Sequence, residues 1–227
     1  MRRAYDRSFY LFWTWFSRMC FLLFTRCTVE GRENVPPFGP LIVVSNHLCF
    51  LDPPLVAAAM PRRVRFMAKK ELFDMPVVGF LTRSYGSIRV DREGSQKDTI
   101  VAVEQALRRD AAIGMFPEGT RSRGALARGK PGATMLALRS GAQMLPIAIT
   151  GTERITSLGA FLFKRRRIKV TIGEVFSLPS MEGNVGKAQI AGLTDMMMER
   201  VAVMLPQEYR GYYARKPAHE RHPQQHI

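Results

Sequence analysis

Cysteine, histidine and acidic residues are all scarce in this chain, and each scarcity excludes something. The 227 residues hold 3 cysteines, Cys20, Cys27 and Cys49. None sits in a CxxC or Cys/His spacing, which rules out a disulfide-stapled scaffold and argues against a structural zinc site. Of the 4 histidines, His219, His222 and His226 fall in the last nine residues, so His47 is the one imidazole available to the folded body. Nowhere is there a clean run of the roughly 20 apolar residues that a membrane-spanning helix needs. Asp plus Glu number 19 against 34 Lys plus Arg, a formal charge of +15. An imbalance of that size implies an anionic partner: nucleic acid, an acidic membrane surface or a phosphorylated substrate. With 46% hydrophobic and 23% charged residues, the chain is neither disordered nor collagen-like. Its length suits one domain with a substantial core.

What is present begins with an unusual N-terminus. Phe9 to Thr25 is apolar and aromatic nearly all round, is interrupted by Arg18, and holds both tryptophans, Trp13 and Trp15. Arg2, Arg3 and Arg7 precede it and Arg26 follows. Trp favours the headgroup boundary, so residues 1–28 read as an amphiphilic, membrane-interfacial helical segment whose arginines reach lipid phosphates. Two plainer readings stay open: a secretory signal peptide, though no small-x-small cleavage site follows, and a helix packed into the core.

From Val29 onward, strand-length apolar runs alternate with helical patterns. Strands are expected at Leu41–Ser45, Val64–Ala68, Ser87–Val90, Ala112–Phe116, Met144–Ile149 and Ile168–Ile172. Helices are expected at Asp52–Met60, with Asp52 as N-cap and proline in the first turn, and at Gln96–Arg109, Ala133–Ser140 and Gln189–Leu205. The continuous apolar run Leu-Ile-Val-Val at 41–44 is that of a strand buried on both faces. The alternation predicts an α/β domain over 29–206, with a largely parallel or mixed central sheet flanked by helices. Residues 207–227 read as a flexible polar tail.

Four stretches carry the possible chemistry. His47 leaves the first apolar strand and Asp52 lies five residues on. That spacing is wrong for one face of a helix but right for a loop whose two ends converge at a strand's carboxyl edge, where open α/β sheets place ligands. An aspartate there would fix the imidazole tautomer and stabilise the imidazolium; it could equally be a plain helix start. Phe116-Pro-Glu-Gly-Thr-Arg-Ser122 also follows a strand. Gly119 permits close backbone approach, and Thr120, Arg121 and Ser122 supply donors. Glu118 could position the arginine, bind a substrate hydroxyl or form a salt bridge. From Arg121 through Thr152 there are five basic residues and no acid, either an anion-facing surface or a solvated basic loop. Gly86 to Arg92 and Leu145 to Ile149 are weak signals alone.

Together and in this order, the four stretches resemble the blocks of the HxxxxD glycerolipid acyltransferases, most closely the bacterial lysophosphatidic acid acyltransferases. The resemblance runs from Val29 through Ile172, and Arg65–Phe73 and Lys130–Gly132 also look like family segments. It implies acyl transfer from an acyl thioester, acyl-CoA or acyl-carrier protein, to the 2-hydroxyl of 1-acylglycerol 3-phosphate, giving phosphatidic acid. By that resemblance His47 is the general base and Asp52 its orienting partner. Arg92 and Arg121, helped by Lys69, hold the acceptor phosphate, while Glu118, Gly119 and Thr120 shape the site. No metal and no cofactor are implied. The oxyanion donor is not readable, a backbone N–H near the first or third block being a guess. Cys49 beside the base raises a covalent acyl route, against which stands its more usual role as a small buried filler.

A lipid acceptor gives the N-terminal segment a purpose, docking on the bilayer as a peripheral or monotopic protein of the cytoplasmic face. Pro61–Arg65 and Lys164–Arg167 could attract anionic lipids, receive an acidic carrier protein or hold the CoA phosphates. Within the family, another acceptor such as glycerol 3-phosphate, a lyso-ornithine lipid or another lysophospholipid is the alternative. A nucleic-acid-binding protein would explain the charge but not the amphiphilic N-terminus, and no interleaved aromatics or binding module support it; no nucleic acid partner is expected.

Overall fold

The computed structural model describes residues 2–90, 96–122, 124–179 and 185–214. The chain runs α1 (Arg2–Phe24), β1 (Arg26–Glu30), β2 (Leu41–Ser45), α2 (Asp52–Ala59), β3 (Val64–Lys69), α3 (Lys70–Asp74), α4 (Pro76–Ser84) and β4 (Ile88–Val90). It continues with α5 (Gln96–Leu107), β5 (Ala112–Met115), α6 (Gly132–Ser140), β6 (Gln143–Thr150), α7 (Leu158–Phe163), β7 (Arg167–Ile172) and α8 (Lys187–Val203).

The seven strands form one sheet in the order β1-β7-β6-β2-β5-β3-β4. Only the β6–β7 pair is antiparallel, so the sheet is mixed and helices flank it. All five residues of β2 are buried, as a strand covered on both faces requires. Its side chains alternate between two cores. Leu41 and Val43 pack with α2 and with Tyr10, Phe21 and Phe161. Ile42 and Val44 pack with Val103, Leu136, Met197 and Val201 from the helices of the other face. Because β2, β3, β4, β5 and β6 run in one direction, their carboxyl ends share one edge. That edge is where the chemistry-bearing loops emerge.

Helix α1 is fastened to the domain along one side. The Tyr10 hydroxyl accepts from the Val64 amide, Ser17 and Tyr85 share a hydrogen bond of 2.8 Å, and Tyr10 and Phe21 are buried. Arg18, expected to reach lipid phosphate, instead donates to the carbonyls of Ala58 (2.7 Å) and Met60 (3.1 Å). Those carbonyls are orphaned at the C-terminus of α2, where a cation is favoured by the helix dipole. The charge in the middle of an apolar helix is therefore a structural cap. Of the readings open for this segment, packing against the domain describes this side. The other side leaves Leu11, Phe12, Trp15, Phe16, Leu22 and Leu23 exposed. Among the described residues no helix is long and apolar enough to cross a membrane.

Residues 207–214, expected as the start of a loose tail, fold as two 3-10 turns (Gln207–Tyr209 and Gly211–Tyr213). The amides of Leu126 and Tyr212 bond across to the Tyr209 and Leu126 carbonyls, and the Tyr213 hydroxyl donates to Asp195. Tyrosines reaching back onto α8 and the 126–129 loop make the tail's beginning part of the domain. Residues 215–227 lie outside the described residues.

Candidate active site

The site starts where β2 ends. Asn46 is buried, and its side chain both donates to the Ile149 carbonyl and accepts from the Ile149 amide, each at 2.8 Å. An amide with one donor and one acceptor imitates the next ladder pair of a strand, so β2 stays joined to β6 while its backbone turns away. His47 is the first residue of the departing loop. Its side chain is 18% exposed.

Asp52 holds the loop closed. Its carboxylate is fully buried and takes four hydrogen bonds. One oxygen accepts from His47 Nδ1 at 2.9 Å and from the amides of Leu48 (2.6 Å) and Cys49 (2.7 Å). The other accepts from the Thr152 hydroxyl at 2.8 Å. Asp52 was expected as the N-cap of α2; the N-cap is Leu51, and the carboxylate points back into the His47 loop. A buried carboxylate is tolerated because every lone-pair direction is used, with the N-terminus of α2 adding favourable potential. The acceptor on Nδ1 fixes the proton there and leaves Nε2 as the acceptor.

The imidazole is also held face-on. It stacks on Phe116, centroids 4.2 Å apart and planes 23° apart, and Phe116 in turn stacks on Phe66 at 5.9 Å and 12°. Gly114, paired with Phe66 in the β3–β5 ladder, makes room for this stack: a Cβ there would clash with the Phe66 ring.

Glu118, expected to bind substrate or pair with arginine, turns into the protein. It is 2% exposed, and its oxygens accept from the amides of His47 (2.8 Å) and Ala127 (2.9 Å). Burial raises its pKa, and the two amides together with Ser122 pull it back. Its role is to tie the 116–127 loop to the first loop, a tie doubled by the Ser122 amide donating to the His47 carbonyl at 2.7 Å. The amides of His47, Leu48 and Cys49 are thus all given to carboxylates, so these three N–H groups are not free to serve as oxyanion donors. Cys49 is also accounted for. The buried thiol donates to the Ile155 carbonyl, and burial pushes its pKa up to about 11, so it is a protonated filler at neutral pH.

Basic residues line the same edge. Gly119 adopts φ 71° with Lys130 folded against it, close enough that a Cβ would meet the ammonium at 2.9 Å. Thr120 and Arg121 follow, both exposed. Lys69 is the exposed last residue of β3, two strands from β2, and β4 is one strand further. At about 4.8 Å per strand these ends stand ~10 and ~14 Å from the imidazole's strand. Arg92, two residues past β4, lies outside the described residues. Lys130, Thr152 and Phe116 join the site without having been singled out as site residues from sequence. Lys130 lay within a noted basic stretch, whereas Thr152 reaches Asp52 across a hundred residues of chain. Among the described residues no cluster of His, Cys, Asp or Glu could hold a metal ion.

A buttressed imidazole at the carboxyl edge of a mixed α/β sheet, faced by basic loops, is the constellation of a group-transfer enzyme. The chain belongs to the Acyltransferase family, whose profile matches residues 26–150. It is 28% identical over 174 residues to a Bacillus subtilis 1-acyl-sn-glycerol-3-phosphate acyltransferase, covering 76% of this chain and 85% of that protein. It is 33% identical over 141 residues to the chloroplastic 1-acyl-sn-glycerol-3-phosphate acyltransferase LPAT1 of Arabidopsis thaliana, covering 60% of this chain but only 39% of that longer protein. The fold matches the crystal structure of the 1-acyl-sn-glycerophosphate (LPA) acyltransferase PlsC from Thermotoga maritima with a TM-score of 0.70 and 25% identity, over 90% of this chain and 83% of that one.

Proposed function

We propose that the enzyme transfers a fatty acyl group from an acyl thioester to the 2-hydroxyl of 1-acylglycerol 3-phosphate, giving phosphatidic acid. The observation that carries this reading is the His47–Asp52 pair, set at the carboxyl end of the central strand β2 with basic loops on the same edge. His47 Nε2 takes the proton from the acceptor hydroxyl as its oxygen attacks the thioester carbonyl. The tetrahedral intermediate collapses with cleavage of the C–S bond, and the departing thiolate receives the proton from the imidazolium. Asp52 stabilises that imidazolium through Nδ1–H, and the Phe116 face adds a favourable cation–π contribution. A positioned base of this kind contributes about 10²–10⁴-fold.

The acceptor phosphate is gripped by Arg121 and Lys130, with Lys69 reaching in from the end of β3; Arg92 joins them on the family resemblance alone. A guanidinium fork suits a phosphate monoester, and anchoring one end of the acceptor orients its hydroxyl toward His47, which lowers the barrier by proximity. Gly119 and Thr120 form the turn that presents Arg121. The thioester brings its own activated carbonyl and leaving group, so the chemistry asks for no metal or cofactor. The exposed side of α1 docks the enzyme on the cytoplasmic face of a bilayer, bringing the site to a lipid acceptor without a spanning helix.

The test is an acyl-transfer assay with purified protein, a panel of acceptors and both thioester types. Phosphatidic acid from 1-acylglycerol 3-phosphate, with little product from its dephosphorylated counterpart, supports the reading. Preference for an acceptor without a phosphate monoester would overturn it.

A further inference from the structure

Two basic runs flank apolar segments, Pro61–Arg65 and Lys164–Arg167, and the structure separates them. In the first, the guanidiniums are used inside the molecule. Arg62 donates to the carbonyls of Pro36, Gly39 and Asp110, Arg63 lies 4.9 Å over the Tyr10 ring, and Arg65 donates to the Gly86 carbonyl. The second run faces outward: Lys164, Arg165 and Arg167 are exposed. Arg167 stands beside exposed Arg26 in the parallel β1–β7 ladder. Like charges side by side on one sheet face repel, so an anion covering this pair is stabilising.

Immediately before the run comes Phe163, 85% exposed, with Leu158 at the start of the same helix at 59%. Helix α7 is pinned to α1 by Phe161, whose ring meets Phe21 at 5.3 Å and Phe24 at 5.9 Å. Helix α7 therefore lies against α1, whose Leu22 and Leu23 are exposed as well, and the cations follow each helix directly, Arg26 two residues after α1 and Lys164 next after α7.

We infer that the α7 tip and the cluster Arg26, Lys164, Arg165 and Arg167 form a second, charge-selective contact with a bilayer surface bearing anionic phospholipid. Phe163 enters at headgroup depth while the four cations pair with lipid phosphates. A bilayer uses both halves of this patch at once. An acidic protein would use the charges and leave the exposed apolar tip unexplained. The inference rests on the reading of α1 as the docking side and adds which lipids the enzyme selects.

The experiment is co-sedimentation of the full chain with vesicles of phosphatidylcholine alone and of phosphatidylcholine with phosphatidylglycerol. At about fivefold per basic residue near an anionic surface, the triple variant Lys164→Gln/Arg165→Gln/Arg167→Gln is expected to lose ~10²-fold in partitioning onto the anionic vesicles and nothing on the neutral ones. Phe163→Ser is expected to lose about tenfold on both. Wild-type preference for anionic vesicles should fade as salt is raised. A triple variant that binds anionic vesicles as wild type does, or that loses only binding to an acidic carrier protein, overturns the inference and leaves α1 docking in place. Wild type that binds neither vesicle, with Leu22→Ser/Leu23→Ser indistinguishable from it, overturns the docking reading and this inference with it.

Discussion

Replacing Asp52 by asparagine separates the chemical role of its charge from its role as a scaffold. The carboxylate accepts three hydrogen bonds on one oxygen and one, from Thr152, on the other. Asparagine is isosteric. Its carbonyl oxygen takes the side facing His47, Leu48 and Cys49, and its amide takes the side facing Thr152, whose hydroxyl can rotate and become the acceptor. The loop geometry survives at a cost of about 1–3 kcal/mol for weakened charge-assisted bonds, a drop of several degrees in Tm for a chain of this size. The imidazolium loses its anionic partner, and kcat is expected to fall on the order of 10²–10⁴-fold. The assay is thiol release from an acyl thioester with lysophosphatidic acid as acceptor, run beside thermal unfolding. Thr152→Val is the control: it leaves one buried oxygen short of a donor, so it should lower Tm comparably while leaving kcat within about tenfold of wild type. Near-wild-type kcat in Asp52→Asn, or equal rate losses in the two variants, would refute the division of roles.

Three further outcomes follow from the same geometry. Gly114→Ala pushes a methyl into the Phe66 ring and should slow turnover through the Phe66–Phe116–His47 stack; unchanged kcat would show that the stack positions nothing. Cys49→Ala should retain most of its turnover, because a buried thiol with its pKa pushed up to about 11 is not the nucleophile; abolished turnover in a folded protein would revive a covalent acyl intermediate. Glu118→Gln should weaken the tie between the two loops and also change the pH dependence of stability. Burial raises the Glu118 pKa, so above the ordinary glutamate range near about 4.3 the folded state holds a proton that the unfolded state has released. That contribution is complete below this range and is lost as pH rises through the raised value. Denaturant unfolding across pH should show this slope in wild type and not in Glu118→Gln.

The architecture was legible because its buried strands are short, apolar and regularly spaced, and a strand such as 41–44 has no polar positions to confuse its period. Elements without that contrast were not. β1 alternates exposed and half-buried residues with charges at both ends. α3 is one turn of helix and α7 six residues, too short for periodicity to register. At the site, the five-residue spacing anticipated the meeting of His47 and Asp52, because both ends of one loop are local. Asp52 is held by Thr152, and the Phe116 ring under the imidazole is backed by Phe66, residues that only sheet topology brings near. Glu118 sits in a loop of polar residues and reads as a surface group; its inward turn follows from two backbone amides that nothing local marks. Arg18 misled for a similar reason: its acceptors belong to another helix.

His47 is the group on which the account turns. Acyl transfer by wild type and His47→Ala should be compared on the same vesicles at saturating thioester and 1-acylglycerol 3-phosphate. The expected result is a loss in kcat of about 10²–10⁴-fold, with vesicle binding close to that of wild type and a cooperative melting transition kept, lowered by several degrees for the lost donor to Asp52. Turnover in His47→Ala approaching the wild-type rate would contradict it.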